Sequence, residues 1–175
     1  IPEHLTPFVS QVYLHDVLDF SRKEFNKAFN LSAQSKVEIE TQWDLVQLNK
    51  VAQIIRGVTY PKDVVTADDN GHVILTADNV TLDGRFEIVK KIFLDKQFII
   101  SDEKKLNKND ILMCFSSGSK NHLGKLALIH QDTNWYAGGF MGILRCYENL
   151  YPLYLYTILN YKMRNHVRNL GSGSN

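Results

Sequence analysis

The sequence predicts an α+β domain: strand-rich, with a mixed or antiparallel sheet and a few helices, one of them C-terminal. Three observations carry this. Apolar residues come in short runs, such as Ile111 to Phe115 and Leu126 to His130, which suit strands better than helices. Turn signals, Asn70-Gly71 and Asp83-Gly84 among them, punctuate the chain between those runs. A longer run from Pro152 to about Asn169 has helical spacing, with proline at its first turn and Gly171 beyond its end.

In chain order, residues 1–9 contain Pro2 and Pro7 and read as extended or loop. From Ser10 to Asn30 apolar residues fall at mixed spacing, from Val12 and Leu14 to Phe25 and Phe29. Asp19 or Ser21 is placed to cap a short helix through Ala28, Ser21 with Glu24 as a capping box. Ser32 to Thr41 is polar and reads as a linker, so the organisation expected is a segment of residues 1–42 from a preceding module and a domain of residues 43–175. Trp43, Val46 and Leu48 alternate loosely. Val51, Ile54 and Ile55 suit either a strand or a helix, and Gly57 to Pro61 is turn chemistry. Val73 to Leu75 is a short strand. Ile88 to Leu94 and Phe98 to Ser101 are strands, or a strand and a bend, and Lys104 to Asn109 reads as a solvated loop. Then comes the most distinctive stretch, Asp110 to Arg145. A strand to Phe115 enters the polar loop Ser116 to His122. Gly124-Lys125 leads to the strand Leu126 to His130, and Trp135 to Arg145 is a glycine-rich third run. Leu153, Tyr156, Leu159, Tyr161 and Met163 set the helix that follows. The tyrosines from Tyr151 to Tyr161 fit a packed core face better than a base-stacking surface.

Composition narrows the function classes. Of 175 residues, 44% are apolar and 22% charged, enough apolar content for a real core. The net charge is +1, which argues for no particular partner in bulk. Charge is uneven: from Arg85 to Lys125 nine basic residues stand against five acidic ones. That local excess suits contact with phosphates at a few points rather than strong non-specific binding. Cys114 and Cys146 sit in apolar runs without zinc spacing and read as buried, reduced thiols of a cytoplasmic protein. No apolar run approaches a bilayer-spanning length, so no membrane contact is expected. The start, IPEH, looks cut from something longer.

The loop SSGSKNH offers hydroxyls, an amide, an imidazole and an ammonium without a carboxylate. It has two readings. Its Ser and Asn side chains satisfy local backbone groups in a hairpin connection, or Ser117, Ser119, Lys120, Asn121, His122 and Lys125 face phosphates and base edges. Catalytic signatures are sparse. The prolines follow Ile1, Thr6, Tyr60 and Tyr151, so the Asn/Asp-Pro-Pro-aromatic segment of adenine amino-methyltransferases is missing. GxGxxG, P-loop and GxSxG motifs are missing too. Asp83 or Asp95 with Glu103 and Lys105 could be assembled into a metal-dependent nuclease, but such residues recur by chance in a chain rich in Asp and Lys. Gly138-Gly139 before Phe140 reads as a strand kink or close backbone packing.

WDLVQL at Trp43, IIRGVT ending at Thr59, DILMCFSSGSKNHLGKLALI, YAGGFMGILR, and PLYLYTIL before the terminal GSGS together resemble a target-recognition domain from the specificity subunit of type I restriction–modification systems. The resemblance runs from about Trp43 to the end. Residues 1–42 more weakly resemble the tail of a fused adenine methyltransferase. The resemblance implies a sequence-specific DNA-binding module, not an enzyme, that reads one half of a bipartite site in double-stranded DNA. The adenine methyltransferase module, using S-adenosylmethionine, and the restriction motor-nuclease subunit would act from other domains or chains, with no cofactor or metal in this one. It also implies that GSGSN is native and precedes a spacer helix. The implied DNA contacts are Ser117 to Lys125 (Ser117, Ser119, Lys120, Asn121, His122, Lys125) and Arg56, Thr59, Tyr60 and Lys62. Arg85, Lys90 and Lys91 join as phosphate contacts on charge alone. A different class remains open: a protein-interaction domain in which residues 1–42 and the tyrosine-rich helix dock a methyltransferase.

Overall fold

The computed structural model describes residues 41, 42, 44–119, 121–165 and 167. The expected segment 1–42 thus lies almost wholly outside the described residues, as do Trp43, Lys120, His166, Arg168 and the GSGSN end. The described residues belong to a unit that begins at Thr41.

Among the described residues eight strands follow in order: β1 (Ala52–Arg56), β2 (Val65–Thr66), β3 (His72–Leu75), β4 (Ile92–Leu94), β5 (Ile111–Cys114), β6 (Leu126–Leu128), β7 (Trp135–Ala137) and β8 (Met141–Cys146). They form two four-stranded sheets. The first runs β1-β8-β5-β6 and is antiparallel throughout; the second runs β2-β4-β3-β7, with β3 and β7 parallel. A helix, α1 (Pro152–Thr157), continues into a π turn at Ile158–Lys162. The α+β, strand-rich expectation with a C-terminal helix holds.

Why β5 and β6 read as unbroken apolar runs is now plain: both faces of the first sheet are covered. Ala52, Ile111, Met113, Leu126, Leu128 and Leu144 pack under Leu155 and Leu159 of the helical segment. Ile55, Leu112, Cys114, Ala127 and Ile143 on the opposite face meet Leu75, Val80 and Ala137 from the second sheet and its connections. A third cluster, Val58, Ile74, Leu94 and Tyr136, covers the second sheet's outer face, with Tyr60, Phe98 and Ile100 against it.

Several expectations need correction. The glycine-rich third run is two strands, β7 and β8, because Gly138, Gly139 and Phe140 turn the chain from one sheet into the other. Asn70-Gly71 does turn the chain, but β2 and β3 do not pair with each other; both pair with β4. The 88–101 stretch follows the second of its two readings, a strand at Ile92–Leu94 and a bend at Phe98. The 104–109 segment is not simply solvated: Leu106 is fully buried, held by its N–H to the Trp135 carbonyl at 2.9 Å. The expected helix is not α throughout: its hydrogen bonding widens to a π turn at Ile158–Lys162, helical residues follow at 164, 165 and 167, and its expected end lies outside the described residues. Its tyrosines are not a packed face. Tyr151, Tyr154 and Tyr161 are exposed, and burial falls to Leu155 and Leu159 with Tyr156 half-buried. Cys114 is buried and Cys146 half-buried, both free thiols whose pKa burial pushes up.

Candidate nucleic-acid interface

Strand register decides which loops share an end. In the first sheet Arg56 pairs with Gly142, and Cys114 with Met141. The C-terminal ends of β1 and β5 therefore lie beside the N-terminal end of β8, and Met113 opposite Leu126 adds the start of β6. The loops leaving Arg56, Cys114 and Ala137 emerge together. In the second sheet Leu75 pairs with Ala137 and Ile74 with Ile92, which brings the segments after β3 and before β4 to the same end.

Backbone bonds lock this end. The Val58 N–H donates to the Ala137 carbonyl at 2.7 Å and the Gly57 N–H to the Met141 carbonyl at 3.0 Å. The Phe140 carbonyl accepts from the N–H groups of Phe115 and Ser116, at 3.0 and 3.1 Å. The approach is close enough to require glycine: a Cβ on Gly57 would stand 2.0 Å from the Gly138 carbonyl oxygen. The expected close backbone packing at Gly138-Gly139 is therefore present.

The end displays a mixed surface. Arg56, Thr59, Ser116, Ser119 and Asn121 are exposed, and Ser117 and His122 half-buried. Part of the loop's chemistry is spent locally, since the Ser117 hydroxyl accepts from the Ser119 N–H at 3.1 Å. Phe140 is 72% exposed. Beside it a mostly apolar cleft of about 380 Å³ is lined by Val58, Thr59, Tyr60, Thr76, Ile92 and Gly138 to Met141. Tyr60 is half-buried, and burial raises its pKa. Lys90 and Lys91 are exposed on the way into β4, where the buried Asn79 amide donates to the Glu87 and Lys90 carbonyls. The Lys91 ammonium lies 5.6 Å from the centre of the Trp135 ring, a cation–π contact.

Three expected contacts are not brought here as predicted. Lys125 is only 5% exposed, so it does not project from the loop. Gly124 in the left-handed region (φ 72°) turns the chain back, and the Lys125 carbonyl pairs with the Cys114 N–H at 2.8 Å. Burial lowers the ammonium's pKa, partly offset by Cys114 and Asp78. Lys62 is exposed but belongs to the opposite end of the second sheet, where the Asp95 N–H donates to the Val64 carbonyl at 2.9 Å. Arg85 is exposed and paired with Asp83 at 2.8 Å, in a turn tied to the helical segment by Tyr156 and Asn160. Lys120 lies outside the described residues.

Arg145 has a different role. Its guanidinium grips the Asp110 carboxylate through two bonds, at 2.9 and 2.7 Å, and also donates to the Glu103 and Lys105 carbonyls. Asp110 is 2% exposed and further accepts from the Asn107 N–H. The hydrogen bond to Asp110 raises the Arg145 pKa. This clamp engages the Glu103-Lys105 turn in folding, and Asp83 is engaged at the helical segment. Among the described residues no group of three His, Cys, Asp or Glu side chains gathers to hold a metal ion. Sequence reasoning did not single out Phe140 as an exposed ring at this end; its place after two glycines was the available signal.

Two packed sheets thus hold a cluster of polar loops and an exposed aromatic ring at one end. Comparison with known proteins adds to that description. The chain is 28% identical over 136 residues to the type I restriction enzyme EcoKI specificity subunit of Escherichia coli (strain K12), covering 76% of this chain. It is 29% identical over the same length to the StySPI specificity subunit of Salmonella potsdam. In each case it spans 29% of the relative's length. Its fold is similar to that of the HsdS subunit from Thermoanaerobacter tengcongensis, with a TM-score of 0.54 at 17% identity over 77% of this chain and 31% of that one. A second solved structure, from a study of type I R-M complex assembly, gives the same TM-score over 79% of this chain and 31% of its own. No family model matches. The sequence similarity is thus to type I restriction enzyme specificity subunits, and the shared fold is that of an HsdS subunit. No described helix is long and apolar enough to cross a membrane.

Proposed function

We propose that this domain binds double-stranded DNA sequence-specifically and reads one half of a bipartite restriction–modification site. It would direct adenine methylation and cleavage by partners: a methyltransferase module that uses S-adenosylmethionine, and a motor-nuclease subunit. It performs no chemistry itself and works beside the chromosome in the cytoplasm. The carrying observation is the shared end of the sheets, where Thr59, Phe140 and the Ser116 to His122 loop are held by backbone bonds on a rigid platform. Hydroxyl and amide groups there can donate and accept at base edges, while Arg56 and Lys90 supply charge for phosphates. Residues 1–42 would belong to a preceding module, and residues 43–175 would form the recognition unit.

Fluorescence titration of the full chain with labelled duplexes tests this reading. Binding that weakens as salt rises and favours one selected sequence over random DNA supports it. Absence of salt-sensitive binding sinks it. The docking alternative keeps one observation in its favour, the exposed Tyr151, Leu153, Tyr154 and Tyr161 of the helical segment, and it would then lead.

A further inference from the structure

We infer that Phe140 is a base-reading residue: with the Thr59 hydroxyl it recognises an A·T pair through the thymine C5-methyl group in the major groove. The inference rests on the DNA-reading function proposed above and assigns one determinant within it. Single exposed apolar side chains are ordinary on protein surfaces, so exposure alone carries nothing. What distinguishes Phe140 is its mounting. Its carbonyl holds two N–H groups from the Ser116 loop, and the next residue's N–H donates back to the Gly138 carbonyl at 2.7 Å. The ring is thereby offered on a fixed turn at the polar end rather than on a free loop. Gly139 packs close against Thr59; a Cβ there would lie 3.2 Å from the Thr59 hydroxyl oxygen. Thr59 and Phe140 also line the same cleft.

A hydroxyl and a phenyl on one cleft suit the major-groove edge of an A·T pair. That edge presents hydrogen-bonding groups (adenine N7 and N6, thymine O4) next to an apolar methyl. A G·C pair offers no methyl to the ring, so the two side chains would discriminate by matching the former and failing to match the latter.

The test begins with the half-site selected by the full chain from a randomised duplex pool. Each thymine in that site is then replaced singly by deoxyuridine, which removes only the methyl group. One replacement should weaken binding about fourfold, the effect of withdrawing one buried methyl from contact. Phe140→Ala should abolish sensitivity to that replacement, and Phe140→Leu should retain part of it. If the wild-type chain selects a sequence but no deoxyuridine replacement matters, or if Phe140→Ala responds as the wild type does, the Phe140 assignment is overturned while the DNA-reading function stands. If the wild-type chain selects no sequence, both fall.

Discussion

The two ends of the first sheet handle polarity in opposite ways. At one end Arg145 and Asp110 close on each other, and the Asn107 N–H with the Glu103 and Lys105 carbonyls takes up remaining capacity. At the other, the backbone is tied by Phe140, Val58 and Gly57 bonds, while Arg56, Thr59, Ser119 and the Phe140 ring face outward. A buried charge left without a partner is costly, so charges at the closed end must be consumed internally. Exposed side chains at the open end carry no such burden, because backbone bonds tie the Phe140 turn to its neighbours. Surface residues there can vary in chemistry without dismantling the sheets. That division suits a scaffold whose recognition is carried on loops.

The strongest way to break the comparison is at the closed end. Arg145→Ala leaves the Asp110 carboxylate buried without its cation and should cost about 3–5 kcal/mol, read from urea denaturation. Equal loss on replacing an open-end residue such as Ser119 would show that the two ends are not distinct. Gly57→Ala comes next, since its Cβ would meet the Gly138 carbonyl oxygen. About 1–3 kcal/mol of stability should be lost, because backbone must move. DNA affinity measured well below the unfolding midpoint should fall too, as the Phe140 turn shifts; unchanged affinity would uncouple that turn from reading.

Lys125→Met sharpens the boundary between the ends. The buried ammonium has a lowered pKa in the folded protein, so folding disfavours its proton. Between that lowered value and the ordinary 10.5, the unfolded state binds more protons, and stability contributed by this group rises with pH. Wild-type denaturation midpoints followed into alkaline solution should carry that gain, and the Met variant should lack it while binding DNA as before. A drop in affinity would return Lys125 to the interface. The smallest effect on folding belongs to Arg56→Ala. Stability should hold within about 0.5 kcal/mol, while the slope of log affinity against log salt should shrink by about 0.9 if one phosphate contact is lost.

The contrast between these residues also marks how far the sequence was legible. Ile111 to Cys114 and Leu126 to Leu128 were readable as strands because an apolar run between turns has few other uses. Pro152 marked the helix start for a similarly local reason. Lys125 misled, since a lysine beside a polar loop looks exposed until Gly124 turns it under. Tyr151, Tyr154 and Tyr161 misled in the opposite sense, because helical spacing alone does not say which stripe meets the sheet.

By itself, the sequence determined the strand-rich class, the short strands around the polar loop and the start of the helix, all consequences of local spacing and backbone preference. Only the tertiary structure decided that Thr59, Phe140 and Ser116 share one end, that Arg145 belongs to Asp110, and that Lys125 is buried. Those outcomes depend on register between strands far apart in the chain. Register is settled by burying both faces of a sheet at once, a collective condition that no single segment expresses.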